Sequence, residues 1–469
     1  MVSKSIYFIK PENPVIDKRQ MELYTILILT GRIGQLILKK IIGINTPAHK
    51  NTATSVPIQI PTPSFVILPM SMHSGNPAKP LVAPGDKVKI GQLIAEKDGN
   101  VSSPVHASIS GTVKSINDYN ELTGKKEISI IIESDDENSV FEGLKPPSIN
   151  NTIEFLNTVA DSGVVGLGGA GYPTASKLSL KDDIKLDYML INGAECEPFI
   201  TSDTRIMVDE AEFVFKGAVL MKEYLKPKKT LICIENNKQE AIKKLQNLCR
   251  NTENIDVFIL PSKYPQGERK ILVYNVTGRI VPEGARLPDV GCVVINCSTV
   301  AVFAKYIETG MPLVSRIVTV DGSAVREPKN VIAPIGTPIK ELFNFCGGLK
   351  DDVKKILMGG PMMGITVPSL DLPLLKVTNA LLAFNDRDSR LPVQTPCIKC
   401  GRCIDNCPMR LMPSFIDEAY AKKDAELLNK YNVNLCVECS TCAYVCPAKK
   451  PLEHILILSR NMVWEAGLK

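Results

Sequence analysis

Aromatic residues are scarce in this chain, at 13 Phe, 12 Tyr and one Trp, and most of the chain has no excess of positive charge. The chain has 55 Lys and Arg and 50 Asp and Glu. Residues 1–50 contain eight of the basic and three of the acidic residues, so the net charge of +5 lies at the N-terminus and the remainder is balanced. Nucleic-acid binding needs a concentrated basic surface that neutralises phosphates. The composition therefore argues against nucleic acid as a main partner. A hydrophobic share of 44% over 469 residues predicts about three domains with ordinary cores.

Long apolar runs are also lacking. A membrane span needs about 20 predominantly apolar residues, and the most apolar run, 23–44, is interrupted by Arg32, Lys39 and Lys40. No small-residue cleavage site follows it, which argues against a signal peptide. Two interpretations of this N-terminal extension stay open: a segment that packs on the body, and a basic amphipathic segment that touches a membrane or a membrane subunit.

Cysteine is abundant but unevenly placed. Eight of the 14 cysteines crowd into residues 397–446, at one end of a large chain and with the spacing of metal ligands. That pattern predicts ligands in a reducing, cytoplasmic environment and not the disulfides of a small secreted protein. Five of the scattered cysteines are predicted to be buried apolar residues: Cys233, Cys249, Cys292, Cys297 and Cys346.

The crowded cysteines form two runs of the same spacing, Cys397-x2-Cys400-x2-Cys403-x3-Cys407-Pro408 and Cys436-x2-Cys439-x2-Cys442-x3-Cys446-Pro447. Bacterial ferredoxins with two [4Fe–4S] clusters have this spacing, and each of their clusters takes three thiolates from one run and the fourth from the other. We predict one cluster on Cys397, Cys400, Cys403 and Cys446, and a second on Cys407, Cys436, Cys439 and Cys442. Structural zinc, the alternative, does not explain two complete runs that each end in Cys-Pro.

The region from residue 61 to 132 has short β-type runs broken by Gly and Pro, which predicts a small β-sandwich or barrel. Its Pro84-Gly85-Asp86 turn and later Ser110–Val113 resemble the lipoyl and biotinyl carrier fold. The lysine that those carriers modify is absent, since the tip reads Ser103–Ala107, so carrier chemistry is not expected. His73 and His106 are isolated, which favours structural roles over metal binding.

Residues 150–310 alternate helical and strand patterns, which predicts βαβ units with a mainly parallel sheet. The predicted helices are 151–159, 209–224 and 238–248, and the predicted strands are 188–191, 230–235 and 257–260. After Gly310, β-type runs at 315–320 and 331–335 and a helix at 338–345 predict a small α+β module that ends near residue 375.

A glycine-rich stretch, Gly166–Thr174, opens this middle region. Closely spaced glycines permit positive φ and let backbone N–H groups approach an anion. The stretch is not the dinucleotide-binding fingerprint, because no clear strand precedes it and no acidic residue follows at about 20 positions. The next motif, Asn192–Pro198, supplies an amide and two carboxylates of the kind that bind a flavin edge and ribityl or ribose hydroxyls.

Together these motifs resemble the RnfC (RsxC) family, a subunit of the Rnf ion-translocating ferredoxin:NAD oxidoreductase complex. The resemblance covers about residues 46–460 in uninterrupted order, and its motifs are Pro104–Gly111, Gly166–Thr174, Asn192–Pro198, Tyr264–Gly267, Gly359–Gly364 and the twin cysteine runs. The middle region is also similar to the flavin subunit of respiratory NADH dehydrogenases, in which the glycine-rich loop holds FMN and NADH stacks on it.

The resemblance implies a multidomain α/β fold in five parts. These are an N-terminal extension (1–45), a β barrel-sandwich hybrid or lipoyl-like domain (46–148), a central Rossmann-like FMN/NAD(H) domain (149–309), a small β-grasp-like, soluble-ligand-binding module (310–375) and a C-terminal helical 2[4Fe–4S] ferredoxin-like domain (376–469). The implied cofactors are FMN and two [4Fe–4S] clusters, with NAD(H) as substrate.

Carried over residue by residue, the resemblance places ten residues at FMN: Gly166, Gly168, Gly169, Lys177, Asn192, Glu195, Tyr264, Gly267, Asn296 and Thr299. It places Glu197 and Tyr172 at the nucleotide. Because NADH gives two electrons as hydride and iron–sulfur clusters accept one at a time, FMN would convert between the two. No residue is assigned to general acid–base catalysis.

The implied function is the NAD(H)-linked electron-transfer subunit of a membrane-associated, ion-translocating oxidoreductase, peripheral at the cytoplasmic face of the membrane. Its partners would be the other Rnf subunits, including the membrane subunits and the iron–sulfur subunit that meets ferredoxin. Two alternatives stay open: a soluble RnfC-like carrier that serves another reductase, of the proline-reductase-associated type, and a relay subunit without nucleotide binding.

The sequence departs from the family pattern at three places. Ala194 stands where the dehydrogenases have Asp, and Ile42–Pro47 replaces a Gly-Gly-x-His-Pro opening. Where RnfC proteins usually read Gly-Ala-Glu-Lys, this chain has Gly267-Glu268-Arg269-Lys270, so a cation stands in place of a carboxylate. We expect a nucleotide site that works but is weakened if Glu268 does not reach the nucleotide.

Overall fold

The computed structural model describes residues 42–120, 126–181 and 183–468. The predicted N-terminal extension, 1–45, therefore lies outside the described residues except for its last four positions. Within the described ranges, no helix is both long and apolar enough to cross a bilayer.

Strands of the described chain form four sheets. Eight strands lie before residue 135: β1 Ile58–Gln59, β2 Phe65–Pro69, β3 Lys79–Pro80, β4 Lys87–Val88, β5 Leu93–Glu96, β6 Val105–His106, β7 Gly111–Asn120 and β8 Lys126–Ser134. The others are β9 Tyr188–Gly193, β10 Lys229–Glu235, β11 Ile255–Leu260, β12 Cys292–Asn296, β13 Ser315–Asp321, β14 Lys329–Pro334, β15 Val353–Met358, β16 Ile365–Thr366 and β17 Ala380–Asn385.

The N-terminal strands build the predicted barrel. One sheet has the order β2-β8-β7-β4 and a second has the order β3-β5-β6, and all of their pairings are antiparallel. Alternate side chains of β2 and β8, among them Val66, Leu68, Ile130 and Ile132, are fully buried between the sheets, as expected for strands with one face on a core.

The central domain has a four-stranded parallel sheet of order β11-β10-β9-β12, which confirms the predicted parallel sheet. Helices cover both faces, because its strands are apolar on both sides and one helical layer would leave half of that surface exposed. Its helices are α1 Thr152–Asp161, α2 Thr174–Leu178, α3 Ser202–Asp209, α4 Ala211–Leu225, α5 Gln239–Cys249, α6 Arg269–Thr277 and α7 Cys297–Thr309.

Two details of this domain differ from the sequence-based prediction. The predicted helix 209–224 is α4, which begins two residues later because the chain is not helical at Glu210, where φ is −124° and ψ is 29°. Strand β12 and helices α2, α3, α6 and α7 were not predicted. The apolar run of β12 passes directly into the equally apolar start of α7, so periodicity does not separate the two elements.

The third domain is a six-stranded mixed sheet of order β1-β14-β13-β17-β15-β16, with helix α8 Ile339–Phe345 packed on it. β17 pairs with β13 and β15, so this sheet continues past the domain boundary predicted at residue 375. β1 comes from the segment before the barrel and pairs with β14. One edge strand, β1, and one inner strand, β17, thus come from chain that the sequence pattern assigns to neighbouring domains.

The C-terminal domain is helical. Its helices are α9 Asp386–Ser389, α10 Arg402–Asp405, α11 Pro413–Ala421, α12 Ala425–Lys430, α13 Thr441–Tyr444 and α14 Leu452–Glu465. α14 packs against both α11 and α12 and buries Leu456 and Val463. One short helix, α10 or α13, lies within each four-cysteine run.

Candidate functional site

The glycine-rich loop begins inside the core of the barrel, where Val165 and Leu167 are fully buried. Thr299, in the first turn of α7, accepts a hydrogen bond from the Leu167 N–H at 3.0 Å and donates one to the Val165 carbonyl at 3.1 Å. Arg316 on β13 donates to the Leu167 carbonyl at 3.0 Å. The root of the loop is therefore held from three domains.

The tip of the loop, Gly168 to Ala170, is exposed. Its three N–H groups donate no hydrogen bond to any of the described residues. Gly169 has φ +103°, and a side chain there would point into open space. Three adjacent free N–H groups on a glycine loop are a suitable donor set for a phosphate, so the loop fits FMN.

Two cations face the same region. The Lys177 ammonium group, on α2, lies inside the protein and approaches the Val294 carbonyl at 3.4 Å. Burial, with a smaller effect of the positive charge of Arg269, lowers its pKa to about 8. Arg269 is exposed and makes no ion pair among the described residues. The pair is therefore available to an anion.

The Asn192–Pro198 motif begins in the last two residues of β9 and continues into the loop after it. The Lys50 side chain enters from the segment before the barrel, and its ammonium group donates to the carbonyls of Glu195 at 2.9 Å, Glu197 at 2.8 Å and Ile200 at 2.5 Å. Burial lowers the pKa of Lys50, while the Glu195 carboxylate raises it. The Lys50 side chain thus fixes the direction of three carbonyls of this loop.

The Glu195 carboxylate points to the start of α3. It accepts hydrogen bonds from the N–H groups of Asp203 at 2.7 Å and Thr204 at 3.2 Å, and from the Thr204 hydroxyl at 2.6 Å. Asp203 in turn accepts one from the Asn296 amide at 2.7 Å, and Asn296 caps α7. These side chains are engaged with each other, so contacts from Glu195 and Asn296 to FMN stay predictions.

Glu197 explains why residue 360 of the Gly359–Gly364 motif is glycine. A side chain at Gly360 would place its Cβ 2.2 Å from a Glu197 carboxylate oxygen, so only glycine fits there. The same oxygen accepts the Met362 N–H at 3.1 Å. The other oxygen is buried without a partner among the described residues, and so is the Tyr264 hydroxyl. Burial raises the pKa of Glu197 to about 7.

The Tyr264–Gly267 motif closes against the same loop. Gly267 donates its N–H to the Cys196 sulfur at 3.4 Å and accepts from the Asn192 amide at 2.9 Å, and a Cβ on it would lie 2.6 Å from the Ala194 carbonyl. The Glu268 carboxylate caps α6, accepting the N–H groups of residues 270 and 271 at 2.7 and 2.9 Å. This Glu268 oxygen already accepts two hydrogen bonds from the helix, which favours the prediction of a weakened nucleotide site.

The two sets of cysteines surround two separate cavities. The first set lines the larger cavity, and the second lines the smaller one. Their members are, in the same order, Cys397, Cys400, Cys403 and Cys446, and Cys407, Cys436, Cys439 and Cys442. Nowhere in the described chain do three His, Cys, Asp or Glu side chains converge tightly enough for a single metal ion. Four thiols around a cavity suit a multi-iron cluster.

Cys439 of the second set joins the cysteine domain to the central domain. It packs in one apolar cluster with Ile44 and Tyr264, with Cys196 and Met362 at the edge. Three motifs of the glycine-loop region, at residues 196, 264 and 362, therefore meet one cysteine of the second set. The first set contains the two exposed cysteines, Cys397 and Cys400.

Comparison with known proteins gives the family. Residues 39–137 match the RnfC barrel sandwich hybrid domain, 159–305 the Nuo51 FMN-binding domain, 317–366 the SLBB domain and 396–450 a 4Fe-4S dicluster domain. The C subunit of the proton-translocating ferredoxin:NAD(+) oxidoreductase complex of Clostridium ljungdahlii is 40% identical over 398 residues, which are 83% of this chain and 86% of that protein. The chain belongs to the RnfC family.

Other members agree. The C subunit of the Na(+)-translocating ferredoxin:NAD(+) oxidoreductase complex of Acetobacterium woodii is 38% identical over 383 residues, 80% of this chain and 86% of that protein. The C subunit of the ion-translocating oxidoreductase complex of Cronobacter sakazakii is 38% identical over 377 residues, 79% of this chain but 48% of that longer protein. Among solved structures, an NAD+-reducing [NiFe]-hydrogenase in the H2-reduced state aligns with 69% of this chain and 64% of its own, at 16% identity and a TM-score of 0.47.

This RnfC-family chain thus has an FMN-binding domain and a 4Fe-4S dicluster domain in a mixed α/β fold. Three cations that bind backbone carbonyls have no sequence signal: Lys50 and Arg316, which hold the site, and Lys376, which lies where the barrel meets the central domain. Lys376 is fully buried and donates to the Ser103 hydroxyl and to the carbonyls of Pro104 and Gly163, at 2.6 to 3.2 Å. A lone lysine or arginine in a sequence resembles any solvated cation, so only the fold identifies these three.

The two histidines lie in the barrel, as expected for structural residues. His73 accepts the Ser103 N–H at 3.0 Å. Burial, with a smaller effect of the Lys376 charge, lowers the pKa of His73 to about 4 and that of His106 to about 3. Both rings are therefore neutral at physiological pH, next to a lysine whose pKa burial lowers to about 7.

Proposed function

We propose that this protein exchanges electrons between NAD(H) and two [4Fe–4S] clusters, through FMN, as the RnfC component of an ion-translocating ferredoxin:NAD oxidoreductase. When bound, FMN would convert hydride chemistry into single-electron transfer, and the clusters would carry single electrons. The observation that carries the proposal is the contact of Cys439 with Tyr264, which sets one ring of thiols directly against the FMN-binding domain.

The residues divide the work. The free N–H groups of Gly168 to Ala170 bind a phosphate, and Lys177 adds positive charge beside them. Thr299 and Arg316 hold the loop in place, while Lys50 orients the segment that ends at Ile200. Glu195, Asn192 and Asn296 would set the geometry of the flavin site, with Gly166, Tyr264 and Gly267 shaping its walls and Tyr172 and Glu197 turned to the nucleotide.

The cysteine sets imply an order. Because Cys439 contacts the FMN-binding domain, the cluster on Cys407, Cys436, Cys439 and Cys442 would be the inner one. The cluster on Cys397, Cys400, Cys403 and Cys446 would be the outer one, because two of its ligands are exposed. Cys403, Cys442 and Cys446 share one apolar cluster, which brings the two sites next to each other.

The finer assignments follow the same reasoning. The parallel sheet with helices on both faces supports a Rossmann-like central domain, and the mixed sheet with α8 supports a β-grasp-like module. We propose a peripheral position at the cytoplasmic face of the membrane, with the other members of the complex as partners. The five-part division by residue number is part of this proposal, with the third part extended to Asn385 by the pairing of β17.

Anaerobic titration with NADH tests the proposal. Purified holoprotein should contain about eight iron atoms and one FMN, and NADH should bleach both the flavin and the cluster absorbance. If NADH bleached the flavin but not the clusters, electrons would not pass from FMN to the clusters, which would contradict the proposal. A holoprotein that dithionite reduces but millimolar NADH does not would support the relay alternative.

A further inference from the structure

The face of the C-terminal domain over Cys397 and Cys400 is open and apolar. All residues from 391 to 400 are exposed, and the exposed fractions of Leu391, Val393 and Ile398 are 84%, 86% and 66%. Isolated exposed apolar residues are ordinary, but three within eight positions, beside a cofactor cavity, form a patch of the kind that marks an interaction surface.

The chain holds this patch in place. The segment has no helix or strand, yet the Thr395 N–H donates to the Ala448 carbonyl at 3.0 Å, directly after Cys446 and Pro447. Ile398 and the partly exposed Phe415 line the cavity of the first cysteine set. The apolar patch and the mouth of that cavity are therefore one continuous surface.

Cations border the patch. Lys399, Arg402 and Lys449 are exposed, and none of them has an ion-pair partner in the described part of the chain. Lys450 pairs with Asp417, and a second carboxylate, Glu418, lines the same cavity from α11. From residue 389 to 404 there is no acidic residue, so the rim beside the apolar patch is positive.

We propose that this face, made by Leu391, Val393, Ile398, Lys399 and Arg402, docks a partner protein whose one-electron centre lies beneath a surface with an apolar middle and acidic rim. The inference rests on the proposed function, because the outer cluster would exchange electrons here. One electron passes between the reduced cluster and the oxidised centre of the partner, in either direction, and no bond forms or breaks. Apolar contacts supply the affinity and the cations the orientation.

A protein fits this face better than a lipid surface does. Interfacial membrane segments are amphipathic helices with many cations along one face, whereas 391–400 has no helix and carries one cation within it. The exposed cysteines Cys397 and Cys400 also favour a protein. Electron transfer at this face requires a second redox centre close to them, and a lipid has none.

The test uses the full-length holoprotein and, as the probe, an acidic bacterial-type ferredoxin with [4Fe–4S] clusters. Binding is measured at 50 and 200 mM salt for wild type, for Leu391→Ser with Val393→Ser, and for Lys399→Gln with Arg402→Gln. The matched control is Lys340→Gln with Lys354→Gln, two exposed cations of the β-grasp-like module. We expect each surface pair to weaken binding roughly tenfold and the control pair less than twofold.

Iron and sulfide contents of the variants must equal those of wild type. The proposal is overturned if wild type does not bind the ferredoxin at either salt concentration, if the surface pairs bind like the control, or if those pairs lose binding only to vesicles of phosphatidylglycerol and phosphatidylcholine. Binding does not require NADH, so a holoprotein that binds ferredoxin at this face without being reduced by NADH contradicts the proposed function alone.

Discussion

Replacing Lys50 with methionine should selectively damage the flavin site. The ammonium group donates to the carbonyls of Glu195, Glu197 and Ile200, and methionine keeps the length of the side chain without a donor. Each of the three carbonyls would lose the Lys50 donor, and a buried acceptor left unsatisfied costs about 1–3 kcal/mol. The variant no longer buries a charge, and the loop can relax, so part of this cost is offset. We therefore expect a net cost of about 3 kcal/mol, located in this loop.

A second buried lysine provides the control. Lys376 also donates to three oxygens, those of Ser103, Pro104 and Gly163, but they lie where the barrel meets the central domain. Lys376→Met therefore removes the same number of hydrogen bonds from a different place. Both variants should lower the unfolding temperature.

FMN affinity separates the two variants. If the 3 kcal/mol is the free energy needed to restore the loop, FMN should bind Lys50→Met roughly 150-fold more weakly than wild type, and Lys376→Met should retain most of its affinity. The assay is fluorescence titration of flavin-free protein with FMN, beside thermal unfolding. Equal losses of FMN affinity in the two variants, or wild-type affinity in Lys50→Met, would refute the role given to Lys50.

Three further outcomes are expected. Cys403→Ser should lose the outer cluster and keep FMN, whereas the buried Cys346→Ser should keep both; iron and flavin analysis measures this, and joint loss of flavin and iron in Cys403→Ser would contradict the separation of the sites. Arg269→Glu should tighten NADH binding about 5- to 150-fold in anaerobic titration, because a hydroxyl acceptor worth ~1–3 kcal/mol replaces a cation; an unchanged affinity would make the position irrelevant. Barrel stability should fall below pH 6.5, because the lowered pKa values of His73 and His106 mean that the unfolded chain binds protons there first. The slope is about 1.4 kcal/mol per pH unit for each ring, and urea unfolding followed by hydrogen exchange of the barrel amides should show it halved in His106→Gln; a slope unchanged in that variant would refute it.

The cysteine runs show how much a local pattern determines. The x2 and x3 gaps decide which thiolates reach a common point, because a few residues of chain have little reach. The assignment of four cysteines to each cavity therefore needed only the spacing and the exchange of the fourth ligand between runs. The alternation of strands and helices in the central domain is local in the same sense, and it was enough to predict the parallel sheet.

Tertiary structure decided the features that join distant segments. Lys50 is about 145 positions from the carbonyls that it binds, and β17 completes a sheet whose other strands end near residue 366. No periodicity in the sequence encodes such pairings, since the energy of a buried cation or an added strand depends on groups that only the fold brings near. The same applies to Glu268. Its carboxylate stands one position before the carboxylate of the family pattern, and in the folded protein it caps a helix. The spacing of the cysteines thus predicted the iron–sulfur clusters, while the fold determined which cysteine set lies against Tyr264 and which one contains exposed cysteines.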